Sequence, residues 1–449
     1  MGQVRVPATA LYGAQTQRAV ENFTISLQPL PWNFIEALLL LKSAAAKANC
    51  ELGQLSPNEA QLIDDAIDLL LQEKMTAQFP VSIFQTGSGT SSNMNANEVI
   101  VGLVRKKGIE LSANDQVNLS QSSNDVIPSA IQVAAVCAAR GSLLPALEDL
   151  AAIIRRFGVQ NSDVIKTART HLMDALPIRL QAELEGWAVQ IDECCERIES
   201  ALPRMGRLPL GGTAVGSGVN CHPDFAAKAI DHLNRMTGQV FTEALSRYKG
   251  ISSLDIVVEF SGHLKTCAIA LNKIANDLRW MNSGPLTGLG EIQLPALQPG
   301  SSIMPAKVNP VIPEAVCMAT AQVLGNDTTI NLAAMGGSFQ LNTMLPLAAH
   351  SILYSLELLT GSARSLGEKA IMGITVNRQV YAEALALNPI LVTSLNPVIG
   401  YLKAAQIGKI AQQEGRSVFD VALEHTDIPR QTLQQLLDPK NLADGGSKK

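Results

Sequence analysis

A chain of 449 residues with net charge -5, 47% apolar and only 4% aromatic residues is long enough for more than one core. Those cores are built from Ala, Leu, Ile and Val, as tightly packed helices are. No lysine or arginine run is dense enough for nucleic acid or an anionic membrane surface, so neither is expected as a partner.

The predicted elements begin after an irregular stretch, 1–33, marked by Pro7, Gly13, Pro29 and Pro31. The apolar run 34–46 follows, interrupted by Glu36 and Lys42; a second such run, 344–359, is interrupted by His350 and Glu357. Neither reaches the roughly 18 uninterrupted apolar residues of a membrane span. The positive mean hydropathy of +0.14 is better explained by helices buried on all sides in an oligomer core. Ser56-Pro57-Asn58-Glu59 is a helix start, with a Ser cap, Pro at the first position and Glu closing a capping box. Residues 84–97 and 118–125 read as polar, non-helical blocks. Helical periodicity predicts helices over 129–158, 179–202, 251–281, 313–333 and 343–370. Further Gly-rich polar blocks lie at 210–220 and 284–309, and strand signals are sparse. Beyond residue 378 the helices become shorter and more charged, and 443–449 reads as a disordered tail. The division expected is an N-terminal domain 1–119, a central helical-bundle domain 120–378 and a small C-terminal helical domain 379–449.

The seven cysteines show neither CxxC nor zinc-ligand spacing and read as reduced packing residues. The first residues lack a charged region followed by an apolar one, the pattern of a secretory signal. A cytoplasmic location is therefore expected, with no metal. Apolar helices alternating with loops of Ser, Thr, Asn and Gly suit a small carboxylated ligand.

The sharpest block is Gly300-Ser301-Ser302-Ile303-Met304-Pro305-Ala306-Lys307-Val308-Asn309-Pro310, followed by Glu314. It lacks the Gly-Lys-[Ser/Thr] ending of a phosphate loop. It closely resembles the signature loop of the fumarase/aspartase superfamily. Three more blocks resemble that superfamily's in the same order: Thr86-Gly87-Ser88-Gly89-Thr90-Ser91-Ser92-Asn93-Met94-Asn95, Ser120-Gln121-Ser122-Ser123-Asn124-Asp125, and Arg169-Thr170-His171-Leu172-Met173-Asp174-Ala175-Leu176-Pro177. The resemblance covers residues 2 to about 415.

It implies an all-α fold, with a central bundle of long helices forming the core of a homotetramer and small, mostly helical terminal domains. Each active site would be assembled from three subunits, with no cofactor. It implies Ser301 as general base, with Lys307 and Asn309 gripping the carboxylate that becomes a dianionic aci-carboxylate. His171 would handle the departing water, paired with Glu314. Ser88, Thr90, Ser122, Ser123, Asn124, Thr170 and Ser302 would bind the substrate carboxylates and hydroxyl. Chemically this is coherent: a carbon acid beside a carboxylate is very weak, and its carbanion needs preorganised donors and a fixed positive charge.

Ser88 and the Ser122-Ser123-Asn124 run are similar to class II fumarases, where aspartases tend to carry Ala and Ser-Thr-Asn. Pro305-Ala306-Lys307 is the aspartase form; fumarases usually have Gly in the middle. Two hydroxyl-bearing loops outweigh one methyl group, so the expected reaction is fumarate to L-malate. The alternatives are aspartate ammonia-lyase and, lower, a structural crystallin-like relative, which would be expected to lose Ser301, Lys307 or His171. Ser112 stands where fumarases commonly have a histidine of a second carboxylate site, of which Asn114 and Asp115 remain, so that site is not expected to work. Relatives commonly begin earlier, and a truncated start is expected.

Overall fold

A computed structural model describes residues 2–445. The fold is all-α, with only short two-stranded pairings beside the helices. The long helices among the described residues are Trp32–Glu51, Pro57–Glu73, Thr90–Lys106, Ser123–Ala138, Leu144–Gln160, Leu180–Met205, Asp255–Met281, Val311–Ala334 and Leu345–Ser365. The chain divides into two compact units, each discontinuous in sequence. The first comprises 1–146, 194–269 and 319–361; the second comprises 147–193, 270–318 and 362–449.

In the first unit, helix Trp32–Glu51 is buried on nearly every face, against Pro57–Glu73, Ser123–Ala138 and Phe225–Thr237. Phe34, Leu38, Leu39 and Leu41 have no solvent exposure, which accounts for the density of apolar residues there. Pro57–Glu73 starts as expected, with Ser56 and Glu59 closing a reciprocal capping box.

Two polar blocks need correction. Residues 84–97 are not all loop, because helix Thr90–Lys106 starts inside them; the block 118–125 likewise contains the start of Ser123–Ala138. Their polar residues obscured the helices because they face inward: Ser92, Asn93, Asn95 and Asn97 are all buried and take hydrogen bonds within the fold. A membrane-length segment also went unremarked in the sequence: the continuous helical run 123–160 is long and apolar enough to cross a bilayer, yet 67% of its apolar window is buried inside the protein, as in a core helix.

The second unit contains a β-hairpin that the sequence reading did not predict. Strand β1 (Ile165–Thr170) pairs antiparallel with β2 (Met173–Arg179), with a register shift between Thr167 and Arg169. Helix Arg378–Ala386 packs against β1 and Pro439–Ala443 against β2. The short helices after 389 surround their own apolar core of Leu391, Leu395, Ile407, Val418, Val421 and Leu433. The tail expectation is corrected at its start. Ala443 ends a helix, and Asp444 accepts two hydrogen bonds of 2.6 Å from the Arg179 guanidinium; residues 446–449 lie outside the described residues.

Candidate active site

In the first unit the Thr86–Thr90 loop meets the start of helix Ser123–Ala138. Gly87 is required there: a Cβ would lie 1.8 Å from the Thr343 carbonyl oxygen. Three hydroxyls form a chain, Ser88 Oγ to Thr90 Oγ1 at 2.7 Å and Thr90 Oγ1 to Ser123 Oγ at 2.7 Å. Ser122 is the helix N-cap, its Oγ accepting the Asn124 N–H at 3.2 Å. Asn124 Nδ2 donates to the Ala214 carbonyl at 2.8 Å, so the Gly-rich 210–220 block borders this cluster. A hydroxyl array at a helix N-terminus is well suited to a carboxylate.

Beneath it lie two buried charges that the sequence reading had not singled out as functional. Asp125 has no exposure. Its Oδ1 accepts the Ser122 N–H, and its Oδ2 accepts those of Gly211 and Thr213, each at 2.9 Å. Burial raises its pKa to about 6, opposed by those backbone hydrogen bonds. Lys42, also fully buried, donates to Asn93 Oδ1 at 2.7 Å, Gln121 Oε1 at 3.0 Å and Asn118 Oδ1 at 3.2 Å. Burial lowers its pKa to about 7, partly opposed by the Asp125 charge. The signal for Lys42 was present: a lysine inside an apolar helical run needs buried acceptors.

In the second unit, the 300–310 loop closes on itself. Gly300 N donates to the Lys307 carbonyl at 2.9 Å, and Asn309 Nδ2 donates to the Gly300 carbonyl at 2.7 Å. A Cβ at Gly300 would lie 2.3 Å from the Lys307 carbonyl oxygen, so only glycine permits this closure. Ser301 Oγ accepts two backbone N–H groups, from Met304 at 3.0 Å and Ile303 at 3.2 Å. Lys307, Asn309 and Glu314 line one cavity of about 810 Å³, while Ser301 borders the adjoining face of the loop. Ser302 and Lys307 are exposed, and Glu314 lies in the first turn of Val311–Ala334.

Thr170 and His171 are exposed at the tip of the hairpin. The structure does not bring His171 to Glu314 within one chain. Among the described residues, neither side chain has a hydrogen bond or ion pair, and the Lys307 ammonium has no ion-pair partner. His171 and Leu172, the two residues between the paired Thr170 and Met173, have φ of +57° and +60°. Both signs are those of a type I′ turn, at roughly 1–3 kcal/mol of strain per residue of this kind. At the doubtful second carboxylate site, Asn114 and Asp115 are exposed. Asp115 is taken up locally: its Oδ2 accepts from Ser112 Oγ at 2.7 Å, and its N–H donates back to Ser112 Oγ at 3.1 Å.

Comparison with known proteins decides the family. The Lyase family matches residues 2–325, and the Fumarase C C-terminus family matches 391–444. Fumarate hydratase class II 2 of Pseudomonas aeruginosa is 54% identical over 447 residues, covering 99% of this chain and 98% of that protein. The class II fumarate hydratase of Mycobacterium tuberculosis is 48% identical, covering 94% and 90% respectively. This chain belongs to the class II fumarate hydratases. Solved structures agree on the all-α, helical-bundle fold of this family. A class II fumarase from Schistosoma mansoni superposes with a TM-score of 0.94 at 33% identity, covering 98% of this chain and 97% of its own. A fumarate lyase:delta crystallin from Brucella melitensis, bound to cobalt, gives 0.93 at 40% identity, covering 98% of both chains.

Within this hydratase family, Ala306 gains a physical meaning. Its φ is +68°, a left-handed conformation that glycine adopts freely and alanine resists by about 1 kcal/mol. The methyl group therefore strains the signature loop.

Two predictions follow from this geometry. Ala306→Gly should leave the fold intact and raise the melting temperature slightly or leave it unchanged; a clear fall would contradict the strain at this position. For Lys42, the folded-state pKa lies below the unfolded value of 10.5. The unfolded chain then binds the proton more tightly, so the stability this group contributes is present above about 10.5 and lost as pH falls through about 7. Wild-type protein should gain stability relative to Lys42→Met between pH 7 and pH 10; a constant gap in thermal melts would contradict the depression.

Proposed function

We propose that this chain catalyses the reversible hydration of fumarate to L-malate, with Ser301 as the base. One observation carries the reading: Ser301 Oγ receives two backbone N–H groups, from Met304 and Ile303, in the loop that also bears Lys307 and Asn309. A serine hydroxyl is far too weak an acid unaided; donors aimed at its oxygen favour the alkoxide. In the dehydration direction the alkoxide takes the C3 proton of L-malate. Lys307 and Asn309 hold the resulting aci-carboxylate dianion. His171 gives a proton to the C2 hydroxyl, which leaves as water, and Glu314 orients the histidine and stabilises its charged form. Ser88, Thr90, Ser122, Ser123, Asn124, Thr170 and Ser302 supply donors for the remaining carboxylate and hydroxyl oxygens.

The site is completed in a homotetramer, with three subunits contributing to each. Two features support this. His171 and Glu314 have no partner within their own chain among the described residues. The long helices also leave apolar side chains uncovered, with Ile269, Met318 and Leu332 all more than half exposed, as expected of surfaces that close against other copies. Cysteines that form no disulfide among the described residues suit the cytoplasm. The division into 1–119, 120–378 and 379–449 is kept as a domain proposal, supported at its C-terminal end by the separate apolar core there.

Ser301→Ala is expected to lower kcat for L-malate by about 10²–10⁴-fold while size-exclusion chromatography still gives a tetramer. Turnover near the wild-type rate would overturn the assignment of the base.

A further inference from the structure

We propose that Glu291 is a positioning residue for the His171 turn. The inference rests on the reading of His171 as the group that handles the departing water.

Glu291 is buried, with 3% of its surface exposed. Its two carboxylate oxygens are divided between two cations of β1: Oε1 accepts from Arg169 Nη1 at 2.7 Å, and Oε2 from Lys166 Nζ at 3.1 Å. Three residues apart on a regular strand, Lys166 and Arg169 would point to opposite faces. The register shift between Thr167 and Arg169 re-aims one of them, as such irregularities do, so that both reach one carboxylate. Glu291 is itself fixed by its backbone. Its N–H donates to the Met281 carbonyl, and its carbonyl accepts the Asn377 N–H, both at 2.9 Å. Lys166 also bonds Glu183 Oε2 at 2.9 Å, so two carboxylates balance two cations. Asn388 Nδ2 ties the hairpin on both strands, through Thr167 Oγ1 at 3.1 Å and the Ala175 carbonyl at 2.8 Å.

Arg169 is two residues from His171, and the turn they lead into is one that its own residues resist. Leucine at φ +60° is disfavoured, since type I′ turns select Asn, Asp or Gly. Among the described residues the side chains of the exposed turn make no hydrogen bond or ion pair, so its conformation depends on the strands, and the end of β1 is held by Glu291. A small displacement of a catalytic group costs rate steeply. Loss of the clamp therefore lowers turnover without removing any group that touches substrate.

The test uses the intact tetramer with L-malate. Glu291→Gln keeps the shape but sets an amide N–H₂ against one of the two cations. The expected result is a fall in kcat of roughly 10- to 100-fold with KM changed less than about threefold. Leu172→Gly, added to Glu291→Gln, frees the turn from its strain and should restore a substantial part of the lost kcat, which would not occur if Glu291 merely supported the fold. Arg169→Gln, which removes one arm of the clamp at a partly exposed position, should show a smaller loss with the same rescue; it serves if Glu291→Gln does not assemble. A kcat within twofold of wild type in the assembled Glu291→Gln protein, or no rescue by Leu172→Gly in either background, would overturn the proposal. His171→Asn is measured in parallel. If it cuts kcat while the Glu291 and Arg169 variants do not, only the clamp fails; if His171→Asn is fully active, the reading of His171 fails and the proposal with it.

Discussion

Asp125 is a carboxylate shut away from water that accepts three backbone N–H groups, from Ser122, Gly211 and Thr213. A charge buried in this way is tolerated only when its lone pairs are used, and here each use fixes a piece of the hydroxyl-rich surface. The bond to Ser122 sets the first turn of the helix carrying Ser123 and Asn124. The bonds to Gly211 and Thr213 set the turn whose next carbonyl, that of Ala214, receives the Asn124 amide. Adjacent residues 124 and 125 thus grip the same turn, one from the site and one from the core. Removing the carboxylate would strand three buried donors, each costing about 1–3 kcal/mol.

The second unit follows the same logic with different parts. The side chains proposed for its chemistry lie on segments that are exposed or strained: the 300–310 loop with Ala306 at positive φ, and the hairpin tip with His171 and Leu172 at positive φ. Neither segment has a large apolar core of its own. One is closed by backbone-directed hydrogen bonds around Gly300, the other by buried ion pairs at Glu291. Groups that must face a polar substrate cannot be held by apolar burial, so the fold holds them through hydrogen bonds and charges one layer below.

Much of this was legible in the sequence, and the failures have common physical causes. The long helices were readable because their apolar residues recur at helical spacing; the observed Leu180–Met205, Asp255–Met281 and Val311–Ala334 lie close to the predicted spans. Ser301, Lys307, Asn309 and Glu314 were identified by a motif whose chemistry is local, and the structure places them on one loop and the helix turn that follows it. The start of Thr90–Lys106 was hidden because its inward face is Ser and Asn, which periodicity counts as solvent-facing. The β1–β2 hairpin was hidden because Lys166 and Arg169 are charged yet turned inward, and no alternation of apolar and polar residues survives there. The roles of Lys42, Asp125 and Glu291 were missed for a related reason: an isolated charge in sequence does not say which residues, tens or hundreds of positions away, will be its partners.

The measurement that bears most directly on the central claim is a substrate comparison on the purified protein. Fumarate is followed by its ultraviolet absorbance after L-malate or L-aspartate is added separately. The account predicts fumarate from L-malate and none from L-aspartate, with Ala306 a tolerated strain in a hydratase loop. Fumarate released with ammonia from L-aspartate, and not from L-malate, would contradict it.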